Sequence, residues 1–125
     1  MQISSRETTP PAVSPHGEII YELIGRLAAS FSEKHSLALV VLPPGKSSLP
    51  HYHPSAEESY FILHGQARLV VGDESVELSS GQAALITPPH PHRITNIGEE
   101  DLEFLAVCVP AWEGENSVYL DQIPG

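Results

Sequence analysis

GKSSLPHYHPSAEESYFILHG, residues 45–65, decides how the rest of this chain is read. His51 and His53 are separated by one residue, so on an extended strand both imidazoles point to the same face. Glu57 and Glu58 follow, and Glu58 stands at the mouth of the apolar run Tyr60-Phe61-Ile62-Leu63. A carboxylate at the mouth of a buried strand needs a partner to offset its desolvation, and a divalent cation is such a partner. A second stretch, GQAALITPPHPHRITN over residues 81–96, offers His92 as a further ligand. Three imidazoles and a carboxylate suit a borderline ion such as Fe, Mn, Ni, Cu or Zn.

The surrounding composition fits a small barrel or sandwich. A chain of 125 residues with 41% hydrophobic content suits one domain with a real core. Twelve prolines and nine glycines cut it into short segments, which favours strands and turns over helices. Six basic against sixteen acidic residues give a net charge of −10, which argues against a nucleic-acid partner and disfavours polyanionic ligands. With Cys108 as the single cysteine, no intrachain disulfide framework is possible. The start, MQISSRETTPPAVSPHG, lacks the basic and then apolar pattern of a signal peptide, and no apolar run has the length of a membrane span. The default expectation is a soluble cytoplasmic protein with no membrane partner.

Taken in order, residues 1–17 are polar, hold Pro10, Pro11 and Pro15, and read as a flexible N-terminal arm. Residues 18–24, EIIYELI, have the content of a strand, followed by a turn over 25–34. HSLALVVL, residues 35–42, is a strand stopped by Pro43-Pro44-Gly45. Residues 66–72 pair with 75–78 through the turn at Gly72-Asp73-Glu74. Short strands are expected at 83–87 and 93–96, a strong one at 102–109, and an edge strand at 117–120. Frequent turns between short strands predict an all-β antiparallel sandwich or barrel over 18–120, with 121–125 as a C-terminal tail.

With these residues in place the chain resembles the small single-domain cupins. The first cupin motif has a glycine, five residues, His-x-His, three or four residues, a glutamate, six residues and a glycine. Gly45, His51, His53, Glu58 and Gly65 keep every spacing, and Glu57 would break the gap to Gly65. In the second motif Gly81, His92 and Asn96 keep theirs, while Thr87 and Pro89 replace the usual proline and glycine. The resemblance implies a double-stranded β-helix, a relative of the jelly roll. It implies one divalent transition metal held by His51, His53, Glu58 and His92 at the open end of the barrel. It also implies a homodimer, with the strand at 18–24 as a candidate for pairing with the partner's sheet.

The remaining candidates follow from parity and neighbours. Tyr60 and Ile62 share the face of Glu58, so Tyr60 is either a proton donor or substrate contact, or a core aromatic. Phe61 and Leu63 face the other way. His90 reads as a proton-handling neighbour of His92 or as a solvated turn residue, and His64 as a turn residue. Asn96 is expected to hold a turn, and Cys108 to behave as a small buried hydrophobe. Trp112 and Tyr119 are placed to cover the barrel mouth or a subunit contact. Lys46, Arg68 and Arg93 are not grouped as a phosphate clamp, which counts against a phosphosugar substrate. The expected function is a dioxygenase-like, metal-dependent enzyme acting on a small neutral or weakly polar organic molecule, with Tyr60 and His90 as its proton-handling residues. The alternatives are a metal-dependent isomerase or lyase, and a non-catalytic binding cupin.

Overall fold

The structure, a computed structural model, describes residues 1–121. Twelve strands make up almost all of the regular structure: Ala12–Val13 (β1), Ile19–Gly25 (β2), Ser30–Phe31 (β3), Ser36–Leu42 (β4), His51–Tyr52 (β5), Glu57–His64 (β6), Gln66–Val71 (β7), Glu74–Ser79 (β8), Ala83–Ile86 (β9), His92–Asn96 (β10), Leu102–Val109 (β11) and Val118–Tyr119 (β12). One 3-10 turn, Gly114–Asn116, completes the list of regular elements among the described residues. No helix is long and apolar enough to cross a membrane.

The strands form two sheets. One runs β1-β2-β4-β11-β6-β9, with β3 beside β2; the other runs β12-β5-β10-β7-β8. Neighbours that are distant in sequence, such as β4 and β11, pair antiparallel, as the double-stranded β-helix requires. Both sheets feed one core, in which Leu42, Ile62, Leu102 and Phe104 of the first meet Leu69 and Ile94 of the second. The alternation along β6 sets this up: Tyr60 and Ile62 are buried, while Phe61 and Leu63 are exposed.

Two motif residues act on the backbone. Asn96 is buried and ties its own loop to the end of β4: its Nδ2 donates to Leu42 O and Glu100 O, both at 2.8 Å, and its Oδ1 accepts from Gly98 N at 2.9 Å. Gly65 turns β6 into β7 with φ of 98°, a region that side chains avoid. A Cβ there would lie 3.0 Å from Asp101 O and from Leu102 Cα, both backbone atoms. Gly65→Ala is therefore expected to cost about 1–3 kcal/mol, read as a lower urea midpoint with unchanged slope. An unchanged midpoint would show that this turn carries no constraint.

Two expectations meet a different arrangement. Residues 1–17, read as a flexible N-terminal arm, contain β1, in which Ala12 and Val13 pair with Ile20 and Ile19. Further back, Ser4 Oγ lies 2.6 Å from Ser30 Oγ. Arg6 contacts Glu103 at 2.8 Å and its guanidinium sits over the Tyr21 ring. These anchors are too irregularly spaced to form a period in the sequence. The strand proposed for a partner's sheet is, as β2, paired inside its own chain, with β1 on one side and β4 on the other. On the outer edge, β1 takes Ile19 and Ile20, and β3 takes Ile24 and Gly25. The tail expected at 121–125 lies outside the described residues beyond Asp121.

Candidate metal centre

His51 lies on β5 and pairs directly with His92 on β10, so these two rings come from adjacent strands of the smaller sheet. His53 follows β5 by one residue. Glu58 comes from β6 in the larger sheet, opposite Cys108 of β11 and Ile86 of β9. The four side chains thus bridge both sheets, and their ligand atoms all lie within 4.8 Å of one another. His53, Glu58 and His92 are buried, and His51 is half-buried at the rim.

The hydrogen bonds fix the histidine tautomers. Each Nδ1 faces a backbone carbonyl: His51 to Leu49 O at 2.8 Å, His53 to Asn116 O at 2.9 Å and His92 to His90 O at 3.0 Å. A carbonyl can only accept, so each Nδ1 carries the proton, and in the neutral ring each Nε2 presents a lone pair. All three Nε2 atoms point at Glu58 Oε1, at 2.9 Å from His92, 3.5 Å from His53 and 3.9 Å from His51. His53 Nε2 is buried with no hydrogen-bond partner. Glu58 Oε2 is turned away and accepts from Cys108 Sγ at 2.9 Å. Three lone pairs converging on a carboxylate oxygen repel unless a cation or protons sit among them. The residues therefore fit one divalent transition ion, which would be held by His51, His53, Glu58 and His92.

Electrostatics supports that fit. Burial pushes Glu58 upward, but the facing rings of His53 and His92 outweigh it and hold the carboxyl well below the usual carboxylate range. Burial, helped by the charge of His92, pushes His51 down to about 4. Burial also lowers His53, but the nearby Glu58 carboxylate more than offsets this and leaves it raised. In the metal-free protein a proton on His53 thus competes for the site more readily than one on His51, which is taken up only near pH 4 and below. Metal affinity is expected to hold above the raised His53 value and to fall on acidification by about tenfold per pH unit. A competition titration with a chromogenic chelator from alkaline to acid pH checks this, and affinity that is flat or rises in acid would contradict it.

The other expected site residues divide. Tyr60 is buried beside the centre, its ring 6.1 Å from that of His92 and 4.9 Å from that of Phe104. Burial and the Glu58 charge push its phenol well up, so it remains a hydrogen donor. His90 is not brought to the centre. The Thr87–His90 turn folds its exposed ring back, and Nδ1 lies 2.8 Å from Thr87 O. What His90 contributes is its backbone carbonyl, which holds His92. The sequence reading also missed the bond from Cys108 to Glu58. Parity was the available signal, since Cys108 shares an inward face with Phe104 and Leu102.

Against this group lies a cavity of about 580 Å³, lined by His51, Glu58, Tyr60 and Cys108 together with Val40, Phe104, Ala106, Trp112 and Tyr119. Trp112 and Tyr119 therefore stand in the wall of this cavity. The N-terminal segment closes part of the wall through Ile3, Pro10 and Ala12.

Comparison with known proteins agrees with this architecture. The cupin-domain family model matches residues 38–108. An uncharacterized protein of Methanocaldococcus jannaschii is 33% identical over 111 residues, covering 89% of this chain and 88% of that protein. The oxalate-binding protein of Thermotoga maritima is 31% identical over 113 residues, covering 87% of this chain and 93% of that one. Among solved structures, a predicted oxalate decarboxylase from Thermotoga maritima aligns with a TM-score of 0.78 at 25% identity, covering 87% of this chain and 99% of that one. A Streptomyces protein solved with uridine reaches 0.81 at 12% identity over 99% of this chain and 93% of its own, a likeness of fold alone.

Proposed function

This chain belongs to the cupin family, and from that premise we propose that it is a metal-dependent, dioxygenase-like enzyme acting on a small organic molecule of low polarity. The observation that carries the reading is the cavity. The candidate metal group opens into a space of about 580 Å³ whose described lining is largely apolar and includes no lysine or arginine. A divalent ion bound there would supply Lewis acidity or activate dioxygen. The chain's own residues do the rest. His51, His53, Glu58 and His92 hold the ion, Tyr60 offers a proton or hydrogen bond to the ligand, and Val40, Phe104 and Trp112 exclude water. His90 is left out of proton handling because its ring is turned to Thr87.

A second reading is favoured by the relatives, one an oxalate-binding protein and another a predicted oxalate decarboxylase: a lyase or binding protein for a small carboxylate. One experiment separates the two. Protein loaded in turn with Fe, Mn, Ni and Cu is given a panel of apolar phenols, enols and amines, and separately oxalate, while oxygen uptake and carbon dioxide release are followed. The proposal expects oxygen uptake matched to loss of an apolar substrate, reduced in Tyr60→Phe. Carbon dioxide from oxalate without oxygen uptake on the panel would establish the lyase reading in its place. A homodimer is part of the same proposal, and sedimentation of the full chain at the monomer mass would remove it.

A further inference from the structure

We propose that Asn116 is a positioning residue for the metal group: it fastens residues 114–120 over His53 as a strap, and closure of the strap and metal binding stabilise each other. This rests on the metal centre alone, whatever chemistry the centre performs. His51 and His92 are each oriented by a carbonyl two residues upstream, Leu49 O and His90 O. His53 takes its support from the other end of the chain. Its Nδ1 lies 2.9 Å from Asn116 O and 3.1 Å from Ser117 Oγ. The Ser117 hydroxyl donates to Glu113 O at 3.2 Å, so its oxygen is left to accept from the ring. The Nε2 of that same ring is the buried atom without a partner. The strap therefore fixes both the tautomer and the aim of one metal ligand.

The strap is fastened to the stretch that carries the ligands. Asn116 Oδ1 accepts from Ser55 N and from Ser55 Oγ, both at 3.2 Å. Leu120 N donates to Pro50 O at 2.9 Å. Between these two points β12 pairs Val118 with Tyr52 and Tyr119 with His51, which lays the Tyr119 ring 5.6 Å from that of His51. The root is pinned elsewhere: Trp112 N donates to Ser36 Oγ on β4 at 2.9 Å, and Glu113 lies 3.6 Å from Arg26. None of residues 114–120 is buried. Little apolar area thus holds the strap shut, and a segment held mainly by partly exposed hydrogen bonds opens before the rest of a fold. Opening removes the support of His53 and the ring that covers His51. Losing a supporting partner of a ligand weakens metal binding by about 10–100-fold. By reciprocity, bound metal suppresses opening by the same factor.

The test is hydrogen exchange of the full chain, metal-free and loaded in turn with zinc and manganese, with chelator capture of the bound ion as a second reading. In the metal-free protein, residues 114–120 should exchange well before β4 and β11. Metal should slow them by about 10–100-fold. Asn116→Ala should lose that protection and release the ion about 10–100-fold faster than the parent, with the metal-free thermal midpoint unchanged. A merely structural role would lower that midpoint and leave release alone. Asn116→Asp keeps an oxygen for Ser55 N and Oγ and should restore most of the hold. Exchange over 114–120 that ignores bound metal, or Asn116→Ala protein that releases it at the parent rate, would overturn the inference and leave the metal centre in place. A folded parent that holds neither ion would overturn it together with that centre.

Discussion

Glu58→Gln protein is expected to fold normally and to lose divalent-metal affinity by more than about 100-fold, beyond the effect of removing a supporting partner of a ligand. Glu58 is the one anionic member of the four, so the change removes the charge that draws a cation against three neutral rings. Shape is kept, and the amide has a ready place. Its oxygen can take the hydrogen bond that Cys108 Sγ now gives to Oε2. Its NH₂ group then faces the Nε2 lone pairs of His53 and His92 and satisfies them without an ion. The thermal midpoint of the metal-free variant should therefore stay near or above that of the metal-free parent. Chelator competition and thermal melting read the two effects separately. Retention of a full equivalent of metal with affinity within about tenfold of the parent would remove Glu58 from the ligand set.

Phe104→Ala is expected to cost about 3–5 kcal/mol, the range for emptying an aromatic site in a close-packed core. Phe104 is 2% exposed, contacts the Tyr60 ring and lies between the two sheets, where neither can relax inward without disturbing the other's pairing. For a domain of this size the midpoint should fall by roughly 10–20 °C. The loss should be largely independent of bound metal, because Phe104 is not among the four candidate ligands. A fall of only a few degrees would show that the space between the sheets collapses around the smaller residue.

What the sequence made legible was local. The inward and outward alternation of Tyr60, Phe61, Ile62 and Leu63 is a period-two pattern, and burial follows it residue by residue. The convergence of His51, His53, Glu58 and His92 was legible because fixed spacings place each on or directly after a strand that the barrel brings to one end. What depends on pairing between distant strands was hidden. The hydrogen bond from Cys108 to Glu58 exists only once β11 and β6 are in register. The direction of the His90 ring was hidden for another reason. It is set by the turn from Thr87 through Pro88 and Pro89, in which Thr87 and Pro89 replace the usual residues of the motif. The contacts of the N-terminal segment were hidden because its anchors, Ser4 and Arg6, are single contacts with no repeat behind them.

The most direct test of the account is elemental analysis of tag-free protein beside its His53→Ala variant, each reconstituted with Fe, Mn, Ni, Cu and Zn in turn and freed of loose ions by gel filtration. His53 is chosen because its Nε2 is the buried atom without a partner. The account predicts one equivalent of at least one of these metals in the parent and its loss in the variant, with both proteins folded. A folded parent that retains none of the five, or a variant that retains as much as the parent, would contradict it.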